Sequence, residues 1–181
     1  MRSLIRILSL LLIALVVSGK SFAHDANTAT LDLNKISDTK FSLHIRTPLF
    51  HLDRALRDAT PDGDKLTVGS NPYKKALVNY IGNTLSFRET IVEASGETPN
   101  RTIEIGSTAL KIGGHETNVI LELKGIDDGV QALEIDAPLM KQNTSQINII
   151  RYSNDGAKTK IFLDKKNEFS GPVTGFNMIF D

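Results

Sequence analysis

Thr28-Ala29-Thr30-Leu31-Asp32-Leu33-Asn34, followed after a short polar interval by Phe41-Ser42-Leu43-His44-Ile45-Arg46, decides how this chain folds. Leu31 and Leu33 alternate with Thr30, Asp32 and Asn34; Phe41, Leu43 and Ile45 alternate with Ser42, His44 and Arg46. A period of two puts the apolar side chains of each run on one face, the pattern of a half-buried strand. The turn-like Ser37-Asp38-Thr39 joins the two runs into a hairpin. Keeping the apolar residues on a common face sets the register: Leu33 opposite Leu43, Leu31 opposite Ile45, and Asp32 opposite His44 on the other side of the sheet.

Pro48 ends the second strand. Residues 49–58 change to helical spacing, with Leu49, Leu52 and Leu56 on one face and Asp53/Arg57 an i,i+4 pair. Ala59 to Ser70, with Pro61, Gly63 and Gly69, reads as a loop. Asn71-Pro72 reads as a helix start with Asn71 as the cap. That helix turns Tyr73, Ala76, Leu77, Tyr80 and Ile81 inward and stops at Gly82. The remainder alternates strand and turn: Leu85–Val92, Arg101–Ile105, Ala109–Ile112, Thr117–Lys124, Gln131–Ile135, Gln146–Tyr152, Lys158–Leu163 and Gly175–Phe180. The expected fold is mainly β (α+β), an antiparallel β-sandwich or partly open barrel with two short helices after the first hairpin.

The N-terminus has a different character. Arg2 and Arg6 precede or flank an apolar run from Ile7 to Val17, and Ser21-Phe22-Ala23 places small residues at the −3 and −1 positions of a cleavage site. This is the pattern of a secretory signal peptide over residues 1–23, with a cut after Gly19 as a second possibility. The run is short for a membrane anchor, since a spanning helix needs about 20 apolar residues. The expectation is a single exported β-rich domain over 24–181, periplasmic or secreted, with no integral membrane segment after processing. The chain has 21 basic and 21 acidic residues; Arg2, Arg6 and Lys20 leave with the signal, so the processed chain carries about three net negative charges. That balance offers no electrostatic basis for nucleic acid as a partner. With no cysteine in the sequence, disulfides, thiolate metal sites and a cysteine nucleophile are excluded.

Motifs with strong catalytic meaning are absent. There is no Gly-x-Gly-x-x-Gly, no phosphate loop and no Gly-x-Ser-x-Gly. His115-Glu116-Thr117-Asn118-Val119 starts like a zinc-protease motif but has valine where the second histidine belongs. Asp62-Gly63-Asp64 is too short for a calcium loop. Lys158, Lys160, Lys165 and Lys166 cluster near one hairpin, interrupted by Asp164 and Glu168, and read as a solvated strand face. Asn100-Arg101-Thr102 and Asn143-Thr144-Ser145 match the glycosylation sequon.

One arrangement points to a metal. Cleavage after Ala23 makes His24 the first residue, and its α-amine and ring Nδ1 form a chelate that a second histidine completes. Nitrogen-rich tetragonal geometry suits Cu(II). Extending the hairpin register sets position 24 opposite position 52 and so brings His51 near His24. The plainer reading of His24 is a solvated terminus. His44 beside Asp32 reads as a cross-strand surface pair rather than an acid–base dyad; His115 reads as part of the Gly113-Gly114 turn.

The His24 arrangement resembles the histidine brace of copper-dependent polysaccharide oxidases and small periplasmic copper carriers. More broadly, Ala23-His24, Phe41 to Leu56, Tyr73 to Leu85 and Gln146-Ile147-Asn148-Ile149-Ile150 resemble a group of small secreted bacterial proteins of unknown function. Ile112-Gly113-Gly114-His115-Glu116-Thr117-Asn118-Val119 is similar to periplasmic domains linked to hydrogenase- and urease-accessory-type metal permeases. The resemblance implies a nickel- or cobalt-handling context and an envelope protein or membrane permease as partner, supplied by a separate chain. It brings no catalytic residue. The functional expectation is a non-enzymatic exported accessory or binding domain of the bacterial cell envelope. Its alternatives are a copper or nickel protein using His24 and His51, as carrier or oxidase, and a structural envelope protein pairing through edge strands.

Overall fold

A computed structural model describes residues 27–37, 39–90, 100–126, 132–154 and 157–174. His24, the signal segment and the strand expected at 175–180 lie outside the described residues. The elements in chain order are β1 (Thr28–Ser37), β2 (Lys40–Pro48), α1 (Leu49–Ala59), α2 (Asn71–Thr84), β3 (Ser86–Thr90), β4 (Asn100–Thr102), β5 (Glu104–Ile112), β6 (Glu116–Lys124), β7 (Ala132–Asp136), β8 (Ile147–Asn154), β9 (Ala157–Leu163) and β10 (Ser170–Thr174). They form a six-stranded sheet, β5-β6-β2-β1-β8-β9, and a four-stranded sheet, β10-β7-β3-β4. The fold is a mainly-β, α+β sandwich without barrel closure.

The opening hairpin has the register the alternation demands: Leu31 pairs with Ile45, Leu33 with Leu43 and Asp32 with His44. Its apolar face, with Leu31, Leu33, Phe41, Leu43 and Ile45, is buried together with Val119, Leu121 and Leu123 of β6. These join Phe87, Leu133, Ile135 and Val173 of the smaller sheet and Leu52, Leu56, Tyr73, Leu77 and Ile81 of the helices in one hydrophobic cluster. Removal of this apolar surface from water, at about 25 cal/mol per Å², is the main driving term for the sandwich.

Several expectations are corrected. The sheets are not wholly antiparallel: β1 pairs in parallel with β8, Thr28 against Ile147 and Asp32 against Arg151. A parallel pair cannot be closed by a tight turn, and here the whole of β2 to β7 lies between the two strands. The cap of α2 is Ser70, whose hydroxyl accepts from the Tyr73 amide, so Asn71 and Pro72 sit inside the first turn. The helix continues through Gly82 to Thr84, because Ile81 and Leu85 both remain in the core and the Leu85 amide still reaches the Ile81 carbonyl. The segments at 101–105 and 109–112 divide differently, into β4 and one long β5 with a bulge between Ile105 and Thr108. β10 carries no strand signal in sequence because of Gly171 and Pro172; as an edge strand it tolerates proline.

The loop 60–70 is held by Arg57. Its guanidinium donates to Asp53 Oδ2 (2.9 Å), the Gly63 carbonyl (2.9 Å) and the Leu66 carbonyl (3.0 Å). Tyr73, fully buried beneath this pair, has its ionisation driven far upward by burial and then by the Asp53 carboxylate.

Candidate functional site

A cleft of about 620 Å³ with a mixed polar and apolar lining lies between α1, α2 and the segment after β7. Its apolar floor is Ala55, Ala59, Ala76, Pro138 and the ring of Tyr80. Also lining it are the side chains of Asn79, Asn83, Gln142, Thr60 and Thr84, with Asp58 and Lys141 as one charge of each sign. Tyr80 is anchored by its oxygen, which accepts from the Met140 amide (3.1 Å); burial pushes its ionisation upward, so the phenol stays neutral. A volume in this range is typical of small-molecule sites.

Next to it lies a smaller chamber of about 260 Å³ lined by His51, Arg54, Ala55, Asp58, Met140, Gln142, Asn143 and Thr144. His51 projects from α1, its ring edge-to-face with the exposed Phe50 at 5.3 Å. The route by which sequence placed His51 near the N-terminus does not hold. The hairpin pairs end at Thr30–Arg46, β2 ends at Pro48 where α1 begins, and position 52 is a buried helix residue rather than a strand partner. A different connection replaces it. Asn27 is bound by the Ile147 amide to its carbonyl (2.9 Å) and by Asn143 Nδ2 to its Oδ1 (2.9 Å), and Asn143 lines the His51 chamber. Among the described residues no group of three His, Asp or Glu could hold a metal ion.

Asp32 and His44 are paired in register, yet they form no dyad. The Asp32 carboxylate instead accepts from Arg151 Nη2 (2.7 Å) and Nε and from Arg46 Nη2 (2.9 Å). Burial acts to raise its pKa, but the two guanidinia outweigh that and hold the carboxyl below the usual range. His44 Nε2 lies 3.5 Å from Ser42 Oγ. The alternation found Asp32 and Arg46 on one face; Arg151 arrives through the parallel β1–β8 pairing, 119 residues away in the chain. His115 is exposed at the β5–β6 turn and contributes its carbonyl to the Leu49 amide at the start of α1.

The Asp32 cluster has a pH signature. A carboxyl with a lowered folded pKa stabilises above its unfolded value, about 3.9, and that contribution disappears as pH falls through the folded value. Asp32→Asn is therefore expected to cost about 1 kcal/mol at pH 7, with the gap to wild type closing below about pH 4. Urea unfolding of both proteins across pH 3 to 7 checks this; a gap that persists unchanged in acid contradicts it.

Among the described residues no helix is long and apolar enough to cross a membrane. No family model matches the chain, and no curated protein matches it. The class is accordingly set by fold and surface: an α+β, mainly-β sandwich with a helix-walled cleft at one side.

Proposed function

We propose that this protein is a non-enzymatic, exported binding domain of the cell envelope that holds a neutral, hydrogen-bonding ligand in the cleft between α1 and α2. The observation that carries this reading is the cleft wall. Amide and hydroxyl side chains surround an alanine, proline and tyrosine floor, and Asp58 and Lys141 balance each other. Amides both donate and accept, which suits hydroxyl- or peptide-bearing ligands better than ions. Ala76 sits in the wall with only a methyl group, so Ala76→Trp fills the cleft from within. Backbone NMR against a panel of neutral disaccharides and blocked dipeptides is the test. Expected are saturable shifts at Asn79, Asn83 and Gln142 that vanish in the filled variant; shifts elsewhere, or none with any of the panel, reject the reading. An envelope protein or permease on a separate chain is the partner such a domain serves.

A copper or nickel site at His24 and His51 is the second reading, favoured by the anchoring of Asn27 to the His51 chamber. Asp25 and Ala26 separate Asn27 from His24, three Cα–Cα steps and a reach of about 10 Å. Cu(II) and Ni(II) titration of the chain beginning at His24 is expected to show one-to-one binding lost both in His51→Ala and when one alanine precedes His24. Carriage of the metal fits better than oxidation, since nothing in the chamber is arranged for turnover. Edge-strand pairing has less support. The β9 edge carries Lys158 and Lys160, β10 carries Pro172, and β5 is bulged, all features that discourage strand addition.

A further inference from the structure

Outward positions of β8 and β9 combine cations with an exposed aromatic ring. In register, Phe162 lies beside Ile149, Lys160 beside Arg151 and Lys158 beside Ser153. Phe162, on the outward face of β9 near its end, is 56% exposed, an unusual state for a phenylalanine. The outward positions of these two strands include no carboxylate. Asp32, the nearest acid on the neighbouring strand, is already shared by two arginines, so the row Lys160-Arg151-Asp32 remains net positive. Lys165 and Lys166 extend the charge just beyond β9, and the intervening Asp164 is committed to capping its own turn through the Lys166 amide (2.8 Å). Glu168 is the one exposed acid in that turn. Lys158, Lys160, Lys165 and Lys166 are exposed and make no ion pair among the described residues.

We infer that this edge of the large sheet docks on an anionic lipid bilayer, with Phe162 entering the headgroup region and the lysines around it neutralising lipid phosphates. The chemistry separates this from a protein partner. The cations are mostly lysines on flexible stems, dispersed about a single aromatic ring over an open strand face. They match a fluid layer of like charges rather than one fixed carboxylate. An aromatic ring amid basic residues is the composition of surfaces that lie on membranes without crossing them. The inference is independent of what occupies the helix cleft, which is built from other residues.

Sedimentation with vesicles tests it, on the chain beginning at His24, because the apolar run within residues 1–23 would itself partition into lipid. Expected is binding to vesicles of equal parts phosphatidylglycerol and phosphatidylcholine, weakening as salt rises, and none to phosphatidylcholine alone. At about 1 kcal/mol per lysine near an anionic surface, each lysine lost is a factor of about five, so Lys158→Ala/Lys160→Ala lowers partitioning about 25-fold. Phe162→Ala lowers it about tenfold. The control Lys74→Ala/Lys75→Ala removes the same charge from the exposed side of α2 and leaves binding within twofold. All these side chains are exposed, so unchanged thermal unfolding verifies that the variants fold. Absence of binding to the anionic vesicles, equal binding to neutral ones, or equal losses in the α2 control overturn the inference. Binding to immobilised polyglutamate but not to vesicles also overturns it, in favour of an acidic polypeptide.

Discussion

Replacing Asn148 by leucine is expected to lower the unfolding free energy by about 4 kcal/mol. Asn148 is fully buried on the inner side of β8. Its Nδ2 donates to the carbonyls of Ala137 (2.6 Å) and Leu139 (3.1 Å), and its Oδ1 accepts from Gln146 Nε2 (2.8 Å). One side chain thus ties the larger sheet to the segment that leaves β7 of the smaller sheet. That segment also forms a wall of the cleft through Pro138 and Gln142. Leucine has the same number of side-chain heavy atoms and is the bulkier of the two, so no cavity opens; the loss is that two buried carbonyls and an amide face methyl groups. Each orphaned group costs about 1–3 kcal/mol, which makes the total larger than for a simple truncation. Urea unfolding measures it, and Ser153→Ala, at an exposed position on the same strand, is expected to stay within about 0.5 kcal/mol. A loss below about 1 kcal/mol for Asn148→Leu would mean that the bridge is not what holds the 137–142 segment.

Gly63→Ala is the second large effect, expected at about 3 kcal/mol of destabilisation. A Cβ at Gly63 would stand 2.5 Å from the Arg57 carbonyl oxygen and 2.7 Å from its Cα. Both are backbone atoms of the last turn of α1, which cannot rotate aside as a side chain would. Separating them strains the Thr60–Gly63 turn and the bonds from Arg57 to the Gly63 and Leu66 carbonyls. Two readouts follow: lower thermal stability, and faster proteolytic cutting between 60 and 70 as the loop detaches. Gly82→Ala is the contrasting control. Its Cβ meets nothing within 4 Å, and a glycine-to-alanine change inside a helix is worth about 0.5–1 kcal/mol of added stability. Equal behaviour of the two variants would show that helix propensity, not backbone proximity, governs the Gly63 site. Because Thr60 and Pro61 line the cleft, Gly63→Ala is also expected to disturb the cleft wall.

Hairpin register was legible because it is local and one-sided: a slip by one residue would have moved Leu31, Leu33, Leu43 and Ile45 into water. Both helices were legible for the same reason, from apolar spacing over ten or more residues. Their ends were less so. Ser70 rather than Asn71 caps α2, and Gly82 does not stop it, since burial of Ile81 and Leu85 outweighs the entropic cost of one helical glycine. The Ile147-Asn148-Ile149-Ile150 run was a recognisable strand with no clear inner face. The structure turns Asn148 inward and Ile149 outward because the carbonyls of Ala137 and Leu139 lie on the inner side and need a donor.

The candidate sites follow the same division. Sequence alone established a mainly-β sandwich with two helices, the Asp32–His44 pairing and the Asp53–Arg57 ion pair, since each depends on neighbours in one hairpin or one helix. Tertiary structure decided that Asp32 bonds Arg151 instead of His44 and that His51 shares a chamber with Asn143. Those juxtapositions come from the parallel β1–β8 pairing and from the return of the 137–146 segment across the helices. Nothing in the local pattern of hydrophobicity encodes them: such contacts form only after long loops close, and the interactions that reward closure lie far apart in the chain.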